Sequence, residues 1–159
     1  MQFNYIVEHV RDGVVIDSSH ETNLVPTQGL THILDAVCKG GAQVPTWYIA
    51  PYEGNFTPSA PDTAASLPGA AVECTTYVEA ARQTWVEGAI AGGSVDNTAS
   101  KAEFTMNATK TIYGCWLASV SGKSSTSGLV LSVVRFSASK TFQSGDIMRI
   151  TAPVSLTAS

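Results

Sequence analysis

Charged side chains are scarce in this 159-residue chain: Lys and Arg number 9 and Asp and Glu 13, together 14% of the residues, where ~25% is usual for a soluble domain. Ser, Thr, Ala and Gly take their place. A surface of small hydroxylated side chains costs less to desolvate than one of Lys and Glu, which suits extensive protein contact. There is no basic run, and the net charge is −4. Displacing counterions from phosphate needs clustered Lys and Arg, so the balance argues against a nucleic-acid partner. Apolar stretches break off well short of the ~20 residues of a membrane-crossing helix, and no membrane partner is expected. The opening Met1-Gln2-Phe3-Asn4-Tyr5 has neither a basic n-region nor an apolar core, so no signal peptide and synthesis in the cytosol are expected. Cysteine is limited to Cys38, Cys74 and Cys115, widely spaced and without a CxxC pair. Buried free thiols are expected rather than a disulfide or a metal site.

Catalytic spacing is missing as well. Gly122-Lys123-Ser124 imitates the end of a phosphate-binding loop, but the glycine needed five residues earlier is Leu117, which leaves an ordinary loop. His9, His20 and His32 are too scattered for a local metal signature, and separate solvated or capping roles are expected. No serine sits in a GxSxG elbow and no cysteine in a histidine-pairing motif. Glu73, Glu79 and Glu87 lie near Arg82, where solvated local ion pairs are expected rather than paired acid and base work. Neither a catalytic residue nor a cofactor is implied.

The patterning that is present is that of β-structure. Ala102, Phe104, Met106 and Ala108 alternate with polar neighbours, as do Met148, Ile150, Ala152, Val154 and Leu156, so strands over 101–108 and 147–156 have one apolar and one wet face. Strands over 112–117 and 129–134 are apolar on both faces; they require cover from a helix, from the N-terminal hairpin or from another subunit. Asp12-Gly13 between two β-prone runs predicts that hairpin. Leu30, Ile33, Leu34, Val37 and Cys38 fall on one stripe at helical spacing, predicting a helix over 27–39 that buries them. Thr27 is placed to cap it and Gly40-Gly41 to end it. Further strands are expected over 44–52, at an edge or terminus because of Pro45 and Pro51, and over 72–85 with an irregular interior. Residues 53–71 and 88–100 read as loops and 119–128 as a flexible tip. A single domain over 1–159 is the default, mainly β, as an antiparallel sandwich or barrel with one short helix.

Trp47, Tyr48, Tyr52 and Phe56 crowd into ten residues. Alternation sends at most half of them into a core. The others suit anchoring at a protein interface or stacking on a sugar ring, unless all four complete the monomer core.

Several pieces occur together and in order. Asn23-Leu24-Val25-Pro26-Thr27-Gln28-Gly29-Leu30 resembles the N-x-V-x-T-x-G-L segment before the helix in small virion proteins of tailed bacteriophages. Trp47-Tyr48-Ile49, Asp62-Thr63-Ala64, Glu73 with Tyr77-Val78-Glu79-Ala80-Ala81-Arg82, and Gly145-Asp146-Ile147-Met148-Arg149-Ile150-Thr151 are similar to later segments of the same proteins. The match covers most of the chain after residue 22 and leaves 1–22 outside it. The resemblance is to the capsid decoration, or cement, family. It implies a jelly-roll or β-tulip type β-fold, no enzymatic activity, the major capsid protein as partner, and a homo-oligomer, dimer or trimer. The implied location is the capsid exterior of the virion, after synthesis in the host cytoplasm. A tail-fibre or tail-associated receptor or carbohydrate-binding module is the alternative, as fibre tips share the Ser/Thr/Gly-rich composition.

Overall fold

Asp12 (φ 51°) and Gly13 (φ 77°) both take the left-handed backbone that a tight two-residue hairpin turn requires. They join β1 (Gln2–Arg11) to β2 (Val14–Leu24), as Asp-Gly predicts. In the computed structural model, which describes residues 1–156, there follow α1 (Thr27–Cys38), β3 (Trp47–Tyr52), the one-turn α2 (Leu67–Ala70), β4 (Gln83–Trp85), β5 (Ser94–Val95) and β6 (Ala102–Thr105). The chain continues through β7 (Lys110–Ala118), β8 (Val130–Phe142), β9 (Ile147–Thr151) and β10 (Val154–Ser155). The strand expected over 72–85 reduces to β4. That expected over 147–156 is interrupted at Ala152 and Pro153, since proline cannot donate to a ladder. Residues 157–159 lie outside the described part.

The strands form one antiparallel sheet curled into a nearly closed barrel. Its order runs β4-β3-β7-β8-β2-β1; the far edge of β1 is shared by β9, which carries β6, and by β10, which carries β5. The seam between β4 and β6 is closed without a ladder. Tyr77 bridges to Met106, the Val78 N–H donates to Thr105 O (2.9 Å), and the Trp85 indole N–H donates to Ala152 O (3.2 Å). On the opposite wall β2 meets β8 only at Asn23 and Leu24. Beyond that point Glu21 accepts the N–H (2.8 Å) and hydroxyl (3.1 Å) of Ser137, and Lys140 reaches Asp17, so side chains span the gap where the ladder stops.

Phe3, Tyr5, Val7, Phe104, Met148 and Ile150 are among the side chains that fill the barrel, as their alternation predicts. The strands apolar on both faces are covered within this one chain. Ala50, Tyr52, Trp116 and Val133 form a second apolar layer under Leu67 and Ala71, which belong to the long excursion after β3. The loop expected as a surface excursion is thus the lid of an outer core. Pro51 falls beyond the paired stretch of β3 and β4, Trp47 to Ile49, so its missing N–H costs no ladder bond.

Helix α1 forms where its periodicity places it, but of the stripe expected to be buried only Ile33 packs on the barrel core. Leu30 is 48% exposed, Leu34 61% and Val37 78%, Cys38 is exposed too, and Ile33 is half-buried. Gly29 is instead the buried position, because the helix backbone itself approaches β8: a Cβ there would lie 2.7 Å from Leu131 O. Thr27 does not cap the helix with its side chain; it is the first helical residue, and its N–H donates to Ala60 O (2.9 Å). Gly40 (φ 70°) supplies the left-handed turn at the end.

The neighbouring side chains fasten this corner. Asn23 accepts the Phe3 N–H (3.0 Å) and donates to Ser132 Oγ (2.9 Å). Gln28 Oε1 accepts two backbone N–H groups, of Ala64 (3.0 Å) and Val130 (2.9 Å), joining helix, excursion and β8. Replacing Gln28 by Ala strands both donors, and a loss of about 1–3 kcal/mol is expected in urea denaturation. A midpoint equal to that of the parent protein would show that water serves these groups as well.

Candidate functional site

The four clustered aromatics do not share a surface. Tyr52 is enclosed: its hydroxyl donates to Val134 O (3.0 Å) and its ring stacks on Trp116 at 6.0 Å, and burial pushes its phenol well above the ordinary value. Phe56 is half-buried, edge-on to Tyr52 at 6.1 Å. Trp47 and Tyr48, both half-buried, occupy successive positions of β3 and so opposite faces. Trp47 packs on the barrel interior and meets the His32 ring at 5.7 Å.

Exposed large apolar side chains are scattered over the surface, Ile90 and Val78 among them, but in two places three of them fall close together in sequence. The first is the α1 stripe of Leu30, Leu34 and Val37. Leu34 lines a groove of about 810 Å³ between the helix and the excursion, with Ala60, Pro61 and Leu129 among its walls and Thr31 and Lys39 on it. The second is the hairpin end of β2, where Val14 is 61% exposed, Val15 44% and Ile16 50%. Helical and strand periodicity finds the first set as a stripe and the second as a strand. It does not reveal that either lacks cover, because cover depends on the neighbours.

The buried charged groups are hydrogen-bonded or ion-paired within the chain. Glu73 and Arg82 form a bidentate pair (2.9 and 2.7 Å) with both side chains only 1% exposed, a burial the expected solvated pairing did not foresee. Of the other two carboxylates, Glu79 accepts the Thr105 N–H (3.1 Å), and Glu87 is exposed. Residues 119–128 are not a free tip. Arg82 donates to Val120 O (3.0 Å) and Ser125 O (3.1 Å), and the Ser124 N–H donates to Glu73 (3.0 Å). Lys123 donates to Thr75 O (3.1 Å) and Tyr77 O (3.0 Å) with its ammonium over the Tyr77 ring. Gly122-Lys123-Ser124 thus pins one loop to another. Among the thiols, Cys74 and Cys115 are buried and shifted upward by that burial, whereas Cys38 is exposed, contrary to expectation.

His9 is likewise buried and not solvated. Its Nε2 lies 2.7 Å from Asp146 Oδ2, and its ring packs on Phe142. Asp146 also accepts two bonds from Arg11 (2.8 and 2.7 Å) and the Gln143 N–H (2.7 Å). These hold its carboxyl well below the ordinary range, Arg11 most of all, then the Gln143 N–H and His9. A depressed folded-state value contributes stability that is complete above the unfolded value near ~4 and is lost as pH falls below it. The urea midpoint should therefore drop with acid below about pH 4 more steeply for the parent protein than for Asp146→Asn; parallel curves would remove Asp146 from the acid response.

Among the described residues no group of three or more His, Cys, Asp or Glu is placed to hold a metal ion, and no helix is long and apolar enough to cross a membrane. No family model matches the chain, and no curated protein matches it.

Proposed function

We propose that this protein is a non-enzymatic capsid decoration, or cement, protein of a tailed bacteriophage. It binds the outer surface of the major capsid lattice and stabilises the head as a homo-oligomer. The observation that carries the reading is the outward apolar surface of α1 and the β2 hairpin end on a barrel with few charges. Contiguous apolar side chains left in water mark contact surfaces, and the hydroxyl-rich remainder is cheap to cover. The order of segments that resembles virion proteins supplies the kind of contact. Several of those segments fasten the barrel, through Asn23, Gln28, Glu73, Arg82 and Asp146.

Stabilisation works by mass action: a ligand that binds the assembled shell and not its separated parts lowers the free energy of the assembled state at every occupied site. Modest contacts repeated over a symmetric lattice then oppose separation of capsomers. Phage particles lacking the protein should lose infectivity on heating sooner than complete ones, and equal survival would end the cement reading. Copy number distinguishes the tail-associated carbohydrate-binding alternative. A cement protein scales with the capsid lattice, whereas a fibre component is present in a few copies.

A further inference from the structure

Strand β2 contributes nothing apolar to the barrel. Pairing sets Tyr5 opposite Glu21, Val7 opposite Ser19 and His9 opposite Asp17, and residues directly across a ladder share a face. β2 therefore turns Asp17, Ser19 and Glu21 to the side on which β1 turns its buried residues, and no β2 residue belongs to either apolar cluster. On its other edge β2 meets β8 only at Asn23 and Leu24. The ladder stops there because β8 bulges. Ile112 of β7 pairs with Lys140 and Gly114 with Arg135, so Tyr113 alone stands opposite Phe136 to Ser139, and a bulge bends its strand. Two side-chain bridges cross the seam this leaves, Glu21 to Ser137 (2.8 and 3.1 Å) and Lys140 to Asp17. Between them Ser19 Oγ is enclosed without a hydrogen-bond partner among the described residues, an unmet group that disfavours the closed arrangement. Both ends of the seam are fixed, one by the pairing of Asn23 and Leu24, the other by Asp146 of the β8–β9 turn, which Arg11 and His9 hold to β1.

We propose that the barrel opens locally along this seam, β2 parting from β8 between Asp17 and Glu21 while both ends stay closed, with the Lys140–Asp17 and Glu21–Ser137 bridges as its latch. The seam between β4 and β6 lacks a ladder too, but Tyr77, Trp85 and Phe104 close it with apolar area and Val78 with a backbone bond. The β2–β8 seam has neither, so it opens at far less cost than unfolding. Opening breaks an ion pair whose Asp17 side chain is already 54% exposed, and it gives water to Ser19 and Lys140. The open seam bares unpaired edges of β2 and β8, to which a further strand can be added. It also admits solvent to Cys115, which is fully buried on β7 beside Val134 of β8. Burial raises the Cys115 thiol and the Glu21 carboxylate adds to the effect, so latch and thiol face the same part of the interior. The opening belongs to the single chain and stands or falls apart from the capsid reading.

The buried thiols report the opening directly. Cys38→Ser/Cys74→Ala keeps Cys115 as the only thiol, and Cys38→Ser/Cys115→Ala keeps Cys74, whose N–H bonds Pro51 O of β3 on the far side of β7 from the seam. Labelling by methyl methanethiosulfonate in native buffer, followed by mass spectrometry, then measures how often each thiol is uncovered. Lys140→Met puts an apolar side chain where Lys140 is 6% exposed and leaves Asp17 in water. It should speed Cys115 labelling roughly tenfold and Cys74 labelling by less than about threefold. Raising NaCl to ~1 M, which shortens the screening length to about 3 Å, should speed Cys115 relative to Cys74 in the parent background and not in Lys140→Met. An unchanged Cys115 rate in Lys140→Met overturns the proposal, because the bridge is then no latch. A rise shared equally by Cys74 overturns it as well, because the whole fold has then loosened. If Lys140→Met does not fold, the salt series on the parent background decides: Cys115 gaining on Cys74 supports the seam, and an equal response of the two thiols overturns it.

Discussion

Arg82→Met should cost about 3–5 kcal/mol in urea denaturation, a large part of the ~5–15 kcal/mol that holds a typical domain together. The guanidinium gives both its fork bonds to Glu73 and two further bonds to the carbonyls of Val120 and Ser125. Without it, a carboxylate 1% exposed retains the Ser124 N–H at 3.0 Å and no counter-charge. The penalty is that of an uncompensated buried charge, not the net worth of the pair. Glu73→Met/Arg82→Met should therefore be more stable than Arg82→Met alone, because apolar side chains of similar volume leave no charge stranded. If Arg82→Met falls within about 1 kcal/mol of the parent, the pair behaves as a surface bridge and the argument fails.

Trp116→Ala is expected to cost about 3–5 kcal/mol as well, by a different route. Trp116 is the largest side chain of the outer layer; Tyr52 stacks on it, Leu67 and Ala71 belong to the same cluster, and the Arg82 guanidinium lies 5.7 Å from its centre. Deleting it opens a cavity under the excursion while leaving the barrel interior filled. Limited proteolysis should accordingly cut within 53–82 before the barrel strands, since that segment loses most of what it rests on. Trp47→Ala, which removes a half-buried ring, should cost less. Equal losses for the two variants would mean that the outer layer is not a core.

Much of the barrel is legible in the residues. Asp12-Gly13 predicts the hairpin, alternation at Ala102 and Phe104 predicts the inward face of β6, and the run from Leu30 to Cys38 predicts α1. Legibility stops where a property belongs to two elements at once. The strand expected over 72–85 is mostly irregular because Tyr77 and Val78 close the seam against Met106 and Thr105, a pairing between distant parts of the chain. Residues 119–128 read as free because their anchors, Glu73, Arg82 and the carbonyls of Thr75 and Tyr77, are distant in sequence. Of the candidate contact residues, Tyr52 is inside and Trp47 and Tyr48 are divided between two faces, whereas Val14, Val15, Ile16, Leu34 and Val37 stand outside.

By itself the sequence determined which side chains share a face, where the chain turns and that few charges reach the surface, since periodicity, turn chemistry and composition are local properties of the covalent chain. Tertiary structure alone decided which of those faces is covered. The stripe on α1 would be buried if the helix packed through its leucines; it packs through Gly29, where the missing side chain lets the backbone approach β8, and the leucines are left in water.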